Sequence, residues 1–233
     1  MSGLLNTATS FAATVVRLGF GTVCAPVCRT AQHRLILYDF EACPFCRKVR
    51  EALSHLGLEV EVRPTARGSL RREELRRLGG KVMVPYLLDP TTGVALYESA
   101  RIVRYLYDHY GSGRVPLLQR LGPLNTGLSF VTTALRPTRG RRVVSSLRRD
   151  PTALLVLYSR ESHPFCRRVR EALTEFDLAY VCKNVPRGSP AYDELPAVSG
   201  KREVPVLVDP NTGETRNEAD AIITYLSRTY ARR

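Results

Sequence analysis

Two cysteines three positions apart, Cys43 and Cys46, carry the reactive potential of this chain. They stand in Glu41-Ala42-Cys43-Pro44-Phe45-Cys46-Arg47-Lys48-Val49-Arg50-Glu51-Ala52-Leu53, behind the apolar run Leu35-Ile36-Leu37-Tyr38. That order reads as a strand, a tight turn and a helix start with Cys-Pro-Phe-Cys at the turn. Only a thiolate attacks a disulfide, and a helix N-terminus favours negative charge, so the placement predicts a lowered pKa for Cys43. Arg47 and Lys48, one turn on, add positive charge. Cys46 lies within reach to resolve a mixed disulfide at Cys43. Pro44 in the first helical turn gives up no needed N–H. The rival reading is half of a zinc site. It requires a second ligand pair, and none follows at fitting spacing, so no metal is expected.

A length of 233 residues suits one large or two small domains. A hydrophobic content of 44% with 24% charged residues is that of a soluble globular protein. The formal net charge of +13 attracts anions without specifying which. Six cysteines, two of them in C-x-x-C, point to thiol chemistry in a reducing compartment rather than a disulfide scaffold. No apolar run reaches the roughly 18 residues that span a bilayer.

The chain repeats itself. Leu35 to Tyr38 returns as Leu155 to Tyr158, and Glu41 to Leu53 as Glu161 to Leu173. Arg67-Gly68-Ser69, Gly80-Lys81, Val84-Pro85 and Asp89-Pro90 recur at the same offset of 120. A long match in fixed register is a duplication, each copy one domain. Each reads as strand (34–39), helix (44–56), strand (58–63), charged helix (69–78), two strands around the Asp89–Gly93 turn, and a last helix from about Glu98. The domains expected are 34–111 and 153–233, with 1–33 a leading helix and linker and 112–152 a linker.

Residues 1–38 contain no Asp or Glu, which on composition resembles an organelle transit peptide. Leu5-Asn6-Thr7, Ser10-Phe11, Thr14 and Arg17 nevertheless recur as Leu124-Asn125-Thr126, Ser129-Phe130, Thr133 and Arg136, and a removable leader has no reason to recur mid-chain. A helix over 4–18 belonging to the domain, and a cytoplasmic protein, are therefore expected. Cys24 and Cys28 read as small buried or loop thiols, and Cys182 as a small residue on a strand.

Cys-Pro-Phe-Cys after a strand, Val84-Pro85 about forty residues on and Glu98-Ser99 opening the last helix resemble the thioredoxin fold. They resemble most narrowly the glutaredoxins and the N-terminal, glutathione-binding domain of glutathione transferases. The resemblance covers nearly the whole chain, twice. It implies an α/β protein of two tandem thioredoxin-like domains, each a four-stranded mixed sheet flanked by helices and preceded by an extra helix. It implies glutathione as co-substrate, with Cys43 the nucleophile and Pro44 and Phe45 beside it. It makes Pro85 cis and facing Cys43, has Val84 pair its backbone with the glutathione cysteinyl group, and places Glu98 and Ser99 on the γ-glutamyl end. Lys81, Arg47 and Lys48 are candidate partners for the glycine carboxylate.

The second copy departs where chemistry is done. His163 replaces the first cysteine, while Cys166 matches the second; Ala219 replaces the serine, while Glu218 remains. Val204 and Pro205 are kept. This domain is expected to be redox-impaired, either binding a glutathione-like ligand or structural. The basic run Arg136, Arg139, Arg141, Arg142, Arg148, Arg149 has no interleaved aromatics, so a solvated linker is preferred to a nucleic-acid site. The function expected is glutathione-dependent thiol–disulfide exchange on disulfide or glutathionylated substrates. The rivals are a glutathione transferase or isomerase, disfavoured by the lack of an all-helical domain after either copy, and a non-catalytic glutathione- or partner-binding module. Oligomeric state is not readable.

Overall fold

The computed structural model describes residues 23–25, 31–120, 139–144 and 150–231. The helix expected over 4–18 and its echo around 124–136 lie outside these, as do Cys28, Arg136, Arg148 and Arg149. The first repeat runs β1 (Leu35–Asp39), α1 (Pro44–His55), β2 (Val60–Pro64), α2 (Arg71–Gly79), β3 (Tyr86–Asp89), β4 (Val94–Tyr97), α3 (Ser99–His109). A short α4 (Leu117–Arg120) follows. The second runs β5 (Leu155–Ser159), α5 (Pro164–Glu175), β6 (Tyr180–Asn184), α6 (Pro190–Ser199), β7 (Val206–Asp209), β8 (Glu214–Asn217), α7 (Ala219–Tyr230).

The elements follow from pattern. In α1, Cys46, Val49 and Leu53 fall at helical spacing on one buried stripe, and Pro44 opens the first turn. The α2 helix stops at Gly80, whose φ of 74° is left-handed and open to glycine at no steric cost. In each repeat the first two strands pair in parallel and the third and fourth add antiparallel, giving the expected mixed four-stranded sheet.

The two sheets are one. Strand β2 pairs antiparallel with β6, so the order is β4-β3-β1-β2-β6-β5-β7-β8. The register is Val60↔Cys182, Glu61↔Val181, Val62↔Tyr180. Subtracting the offset of 120 turns Val181 into position 61, so Glu61 and Val181 face each other across a pseudo-two-fold axis. A lone repeat would expose β2 as a sheet edge; the duplication covers each edge with its copy. Cys182 lies buried on β6 at this seam.

Each repeat ties its last helix to its β-hairpin by the same device. Tyr225 and Tyr230 donate to Asp209 Oδ2 at 2.6 and 2.5 Å. Tyr105, at 2.5 Å, and Tyr110 do the same to Asp89. Burial works to raise the Asp209 carboxyl, but these bonds outweigh it and hold it below the usual carboxylate range. Asp209→Asn is expected to cost about 1–3 kcal/mol in urea unfolding, because a buried and a half-buried phenol lose an ionised acceptor.

Candidate active site and its degenerate twin

The strand register brings the candidate residues of the first repeat to one end of the sheet. Tyr38, near the end of β1, pairs with Tyr86 at the start of β3, and Tyr86 pairs with Tyr97 at the end of β4. Cys43 follows β1, Pro85 precedes β3 and Glu98-Ser99 follow β4. All three therefore gather at the carboxyl end of β1, where open α/β sheets hold their ligands. The Val84–Pro85 and Val204–Pro205 peptide bonds are both cis.

Cys43 is the N-cap of α1, and its Sγ accepts the backbone N–H of Cys46 at 3.3 Å. The Cys46 thiol also bonds to it. That bond lowers the Cys43 pKa; burial opposes, and the Cys46 amide and the Arg50 guanidinium add to the lowering. Cys46 is wholly buried, and burial together with the adjacent Cys43 pushes its thiol well up. The pair is thus differentiated into one thiol poised to ionise and one held protonated. Iodoacetamide at neutral pH should label Cys43 first, with Cys46, Cys166 and Cys182, all raised by burial, far behind. Peptide mass mapping reads the order, and equal labelling of Cys43 and Cys166 would contradict it.

Phe45 is exposed beside the cysteine, with the Lys48 ammonium 5.7 Å from its ring. Ser99 is buried at the first position of α3. Glu98 has φ 70°, a left-handed conformation unusual for a side-chain-bearing residue, and does not cap the helix with its side chain. Glu218 repeats it at φ 67°. Such conformations cluster at ligand clamps. A cavity of about 350 Å³ opens beside Ser99, with Lys48, Arg104 and Arg120 on its walls.

One expectation about cations is corrected. Arg47 does not face this site: its guanidinium is buried, bonded to Glu51 at 3.2 Å and 4.0 Å from Glu161 of the other repeat. The cation that acts on Cys43 is Arg50, one further turn along the stripe that carries both cysteines. Lys81 is exposed, its ammonium 4.7 Å above the Tyr97 ring. The basic linker is also not simply solvated. Arg139 reaches Glu175 at 3.0 Å, and the backbones of Arg141 and Arg142 meet Arg67.

Arg50 belongs to a buried square. It bonds Asp39 at 2.6 Å, Glu41 at 3.3 Å and Glu161 at 3.2 Å. Its equivalent, Arg170, bonds Glu41 at 3.0 Å and Glu161 at 2.8 Å. Each arginine bridges the glutamates of both repeats, the mutual arrangement of a two-fold interface. Sequence reasoning passed over these residues. The signal was available: Glu41/Arg50 and Glu161/Arg170 recur at the offset, with each arginine on the apolar stripe of its helix.

In the second repeat, Cys166 Sγ lies 3.5 Å from His163 Nδ1. Burial lowers His163 to about 4, helped by repulsion from Arg160 and Arg170, so the ring is neutral at physiological pH. Burial also raises the Cys166 thiol. A neutral imidazole and a protonated thiol offer no nucleophile for a disulfide. Val204, Pro205 and Glu218 line a cavity of about 560 Å³.

Comparison with known proteins matches residues 37–119 and 157–233 to the glutathione S-transferase, N-terminal domain family. The chain belongs to this family, twice over. No protein of curated function matches it. Among solved structures it is similar to a Leishmania glutathione transferase, TDR1, described as a unique trimeric one. The identity is 15%, over 86% of this chain and 68% of that one. The TM-score of 0.30 is too low to carry an argument. Among the described residues of this glutathione-transferase-like tandem, no helix is long and apolar enough to cross a membrane. Among the described residues no group of three or more His, Cys, Asp and Glu is arranged to hold a metal ion.

Proposed function

We propose that the chain is a glutathione-dependent thiol–disulfide oxidoreductase working through Cys43 of its first repeat. The observation that carries this reading is the contrast at the cysteine pair: Cys43 lowered at the N-cap of α1, Cys46 raised beneath it. The Cys43 thiolate attacks the glutathionyl sulfur of a mixed disulfide. The substrate leaves as a thiolate, and Cys43 is left joined to glutathione. The thiolate of a second glutathione attacks that sulfur, releasing glutathione disulfide and restoring the Cys43 thiolate. Cys46 could instead close a Cys43–Cys46 disulfide, but a thiol held protonated attacks slowly at neutral pH. The glutathione route is therefore the main one.

Val84, with cis Pro85, supplies backbone pairing for the cysteinyl part of glutathione. Ser99 and the amide groups at the start of α3 receive the γ-glutamyl carboxylate. Lys48 is the candidate for the glycine carboxylate. The second repeat acts as the partner that completes the sheet and the charge square.

The test is glutathione-dependent reduction of a small mixed disulfide, run beside conjugation of glutathione to a model electrophile. Turnover in the first alone supports the proposal. Conjugation without reduction would favour the transferase reading that the family name suggests.

A further inference from the structure

In the second repeat a cavity stands at the place where Tyr97 packs in the first, and aligned residues explain why. In the first repeat Tyr97 lies over Gly79 so closely that a Cβ there would sit 2.0 Å from its hydroxyl, and it bonds the Lys81 carbonyl at 2.9 Å. Its ring packs against that of Tyr86 at a tilt, centroids 4.3 Å apart. Position for position, the second repeat has Asn217 and Ser199, joined by a 3.4 Å hydrogen bond. The large aromatic is gone, and space of about 560 Å³ stands open.

Into that space come two arginines from the carboxyl ends of adjacent parallel strands, Arg160 after β5 and Arg187 after β6. The residue equivalent to Arg160 is Phe40. Arg160 donates to the Val185 carbonyl at 3.3 Å. Among the described residues no carboxylate pairs with Arg160, Arg187 or Lys201. Burial and the charge of Arg187 together lower the Arg160 guanidinium below its ordinary value. Arg202, also on the wall, is paired with Asp193 at 3.5 Å. The acids on the wall come from elsewhere: Glu203 ahead of β7, and Glu218 and Asp220 at the start of α7. Asp220 is taken by Arg168. Two neighbouring cations without a counter-charge, in a concave site with Phe165 on its wall, call for an anion.

We infer that the second repeat is a non-covalent binding site for a small anionic molecule, whose carboxylate or phosphate lies between Arg160 and Arg187. With His163 where a thiolate would stand, the ligand is held and not exchanged. The site takes molecules without a reactive sulfur, which the first repeat does not process.

The experiment is calorimetric titration of the full chain with two probes that cannot form a disulfide, inorganic pyrophosphate and S-methylglutathione. Two variants are run beside wild type. R160A/R187A removes the cations, and S199G/N217Y rebuilds the aromatic filling of the first repeat. Expected is saturable binding of pyrophosphate, or of S-methylglutathione at a second site beside that of the first repeat, weakened tenfold or more in R160A/R187A and absent in S199G/N217Y. Disulfide turnover at Cys43 should be preserved in both variants. Binding of pyrophosphate without a second S-methylglutathione site assigns a phosphate ligand, and a second S-methylglutathione site without pyrophosphate binding a carboxylate one. Absence of both pyrophosphate binding and a second S-methylglutathione site, or such binding unchanged in R160A/R187A, overturns the inference.

Discussion

Glu161→Ala should be the most damaging single substitution in the protein, at about 3–5 kcal/mol in chemical unfolding. The side chain is 3% exposed, accepts from Arg50 at 3.2 Å and forms an ion pair with Arg170 at 2.8 Å, one arginine from each repeat. Deleting it leaves two buried guanidinium groups short of a counter-charge at the only place where the two repeats exchange charge symmetrically among the described residues. Acid dependence follows with a defined sign. Burial works to raise the Glu161 carboxyl, but Arg170, Arg50, Arg47 and Arg167 outweigh it and hold it at about 2. An unfolded-state glutamate titrates near about 4.3. A folded pKa below the unfolded one contributes stability that is fully present above the unfolded value and is lost as pH falls toward about 2. Glu161→Gln should therefore be less stable than wild type at neutral pH and lose less on acidification from pH ~5 to ~2. Parallel pH profiles for the two proteins would contradict this.

Cys43→Ser should lower glutathione-dependent disulfide reduction by on the order of 10³-fold or more, because no other described thiol is both lowered and placed at a helix N-cap. Cys46→Ser should lose far less, by about tenfold or below, since the second glutathione resolves the intermediate. The Cys46 thiol also bonds to the Cys43 sulfur and lowers its pKa, so Cys46→Ala, which leaves no donor there, should raise the Cys43 pKa, whereas the serine hydroxyl keeps a donor. The pH–rate profile of Cys46→Ala should therefore move to higher pH while its plateau survives. A Cys46→Ser variant as inactive as Cys43→Ser would show that the dithiol route carries the turnover.

Much of this architecture was legible in the sequence. The repeat at a fixed offset, the order of elements within it and the place of Cys-Pro-Phe-Cys between strand and helix are local features, set by hydrophobic period and turn chemistry. The joining of the sheets was not legible, because β2 and β6 read like any half-buried strand and nothing local says what covers an edge. The role of Arg47 was misread for a related reason. A cation one turn past a cysteine looks like electrostatic support, and only the packing of the second repeat shows that it is turned toward Glu51 and Glu161. Arg50, the cation that does act on Cys43, was hidden as a charge on an apolar stripe. The open cavity of the second repeat depends on a paired change, Gly79 with Tyr97 against Ser199 with Asn217, whose meaning appears only when the two positions touch.

The most direct measurement of the central claim is trapping of the covalent intermediate. The Cys46→Ser protein, mixed with glutathione disulfide, is digested without reduction and its cysteine peptides are weighed. The account predicts a single glutathionyl adduct on Cys43, reversed by added glutathione, with Cys166 and Cys182 unmodified. An unmodified Cys43, or an adduct on Cys166 in its place, would contradict the assignment of the first repeat as the exchanging site.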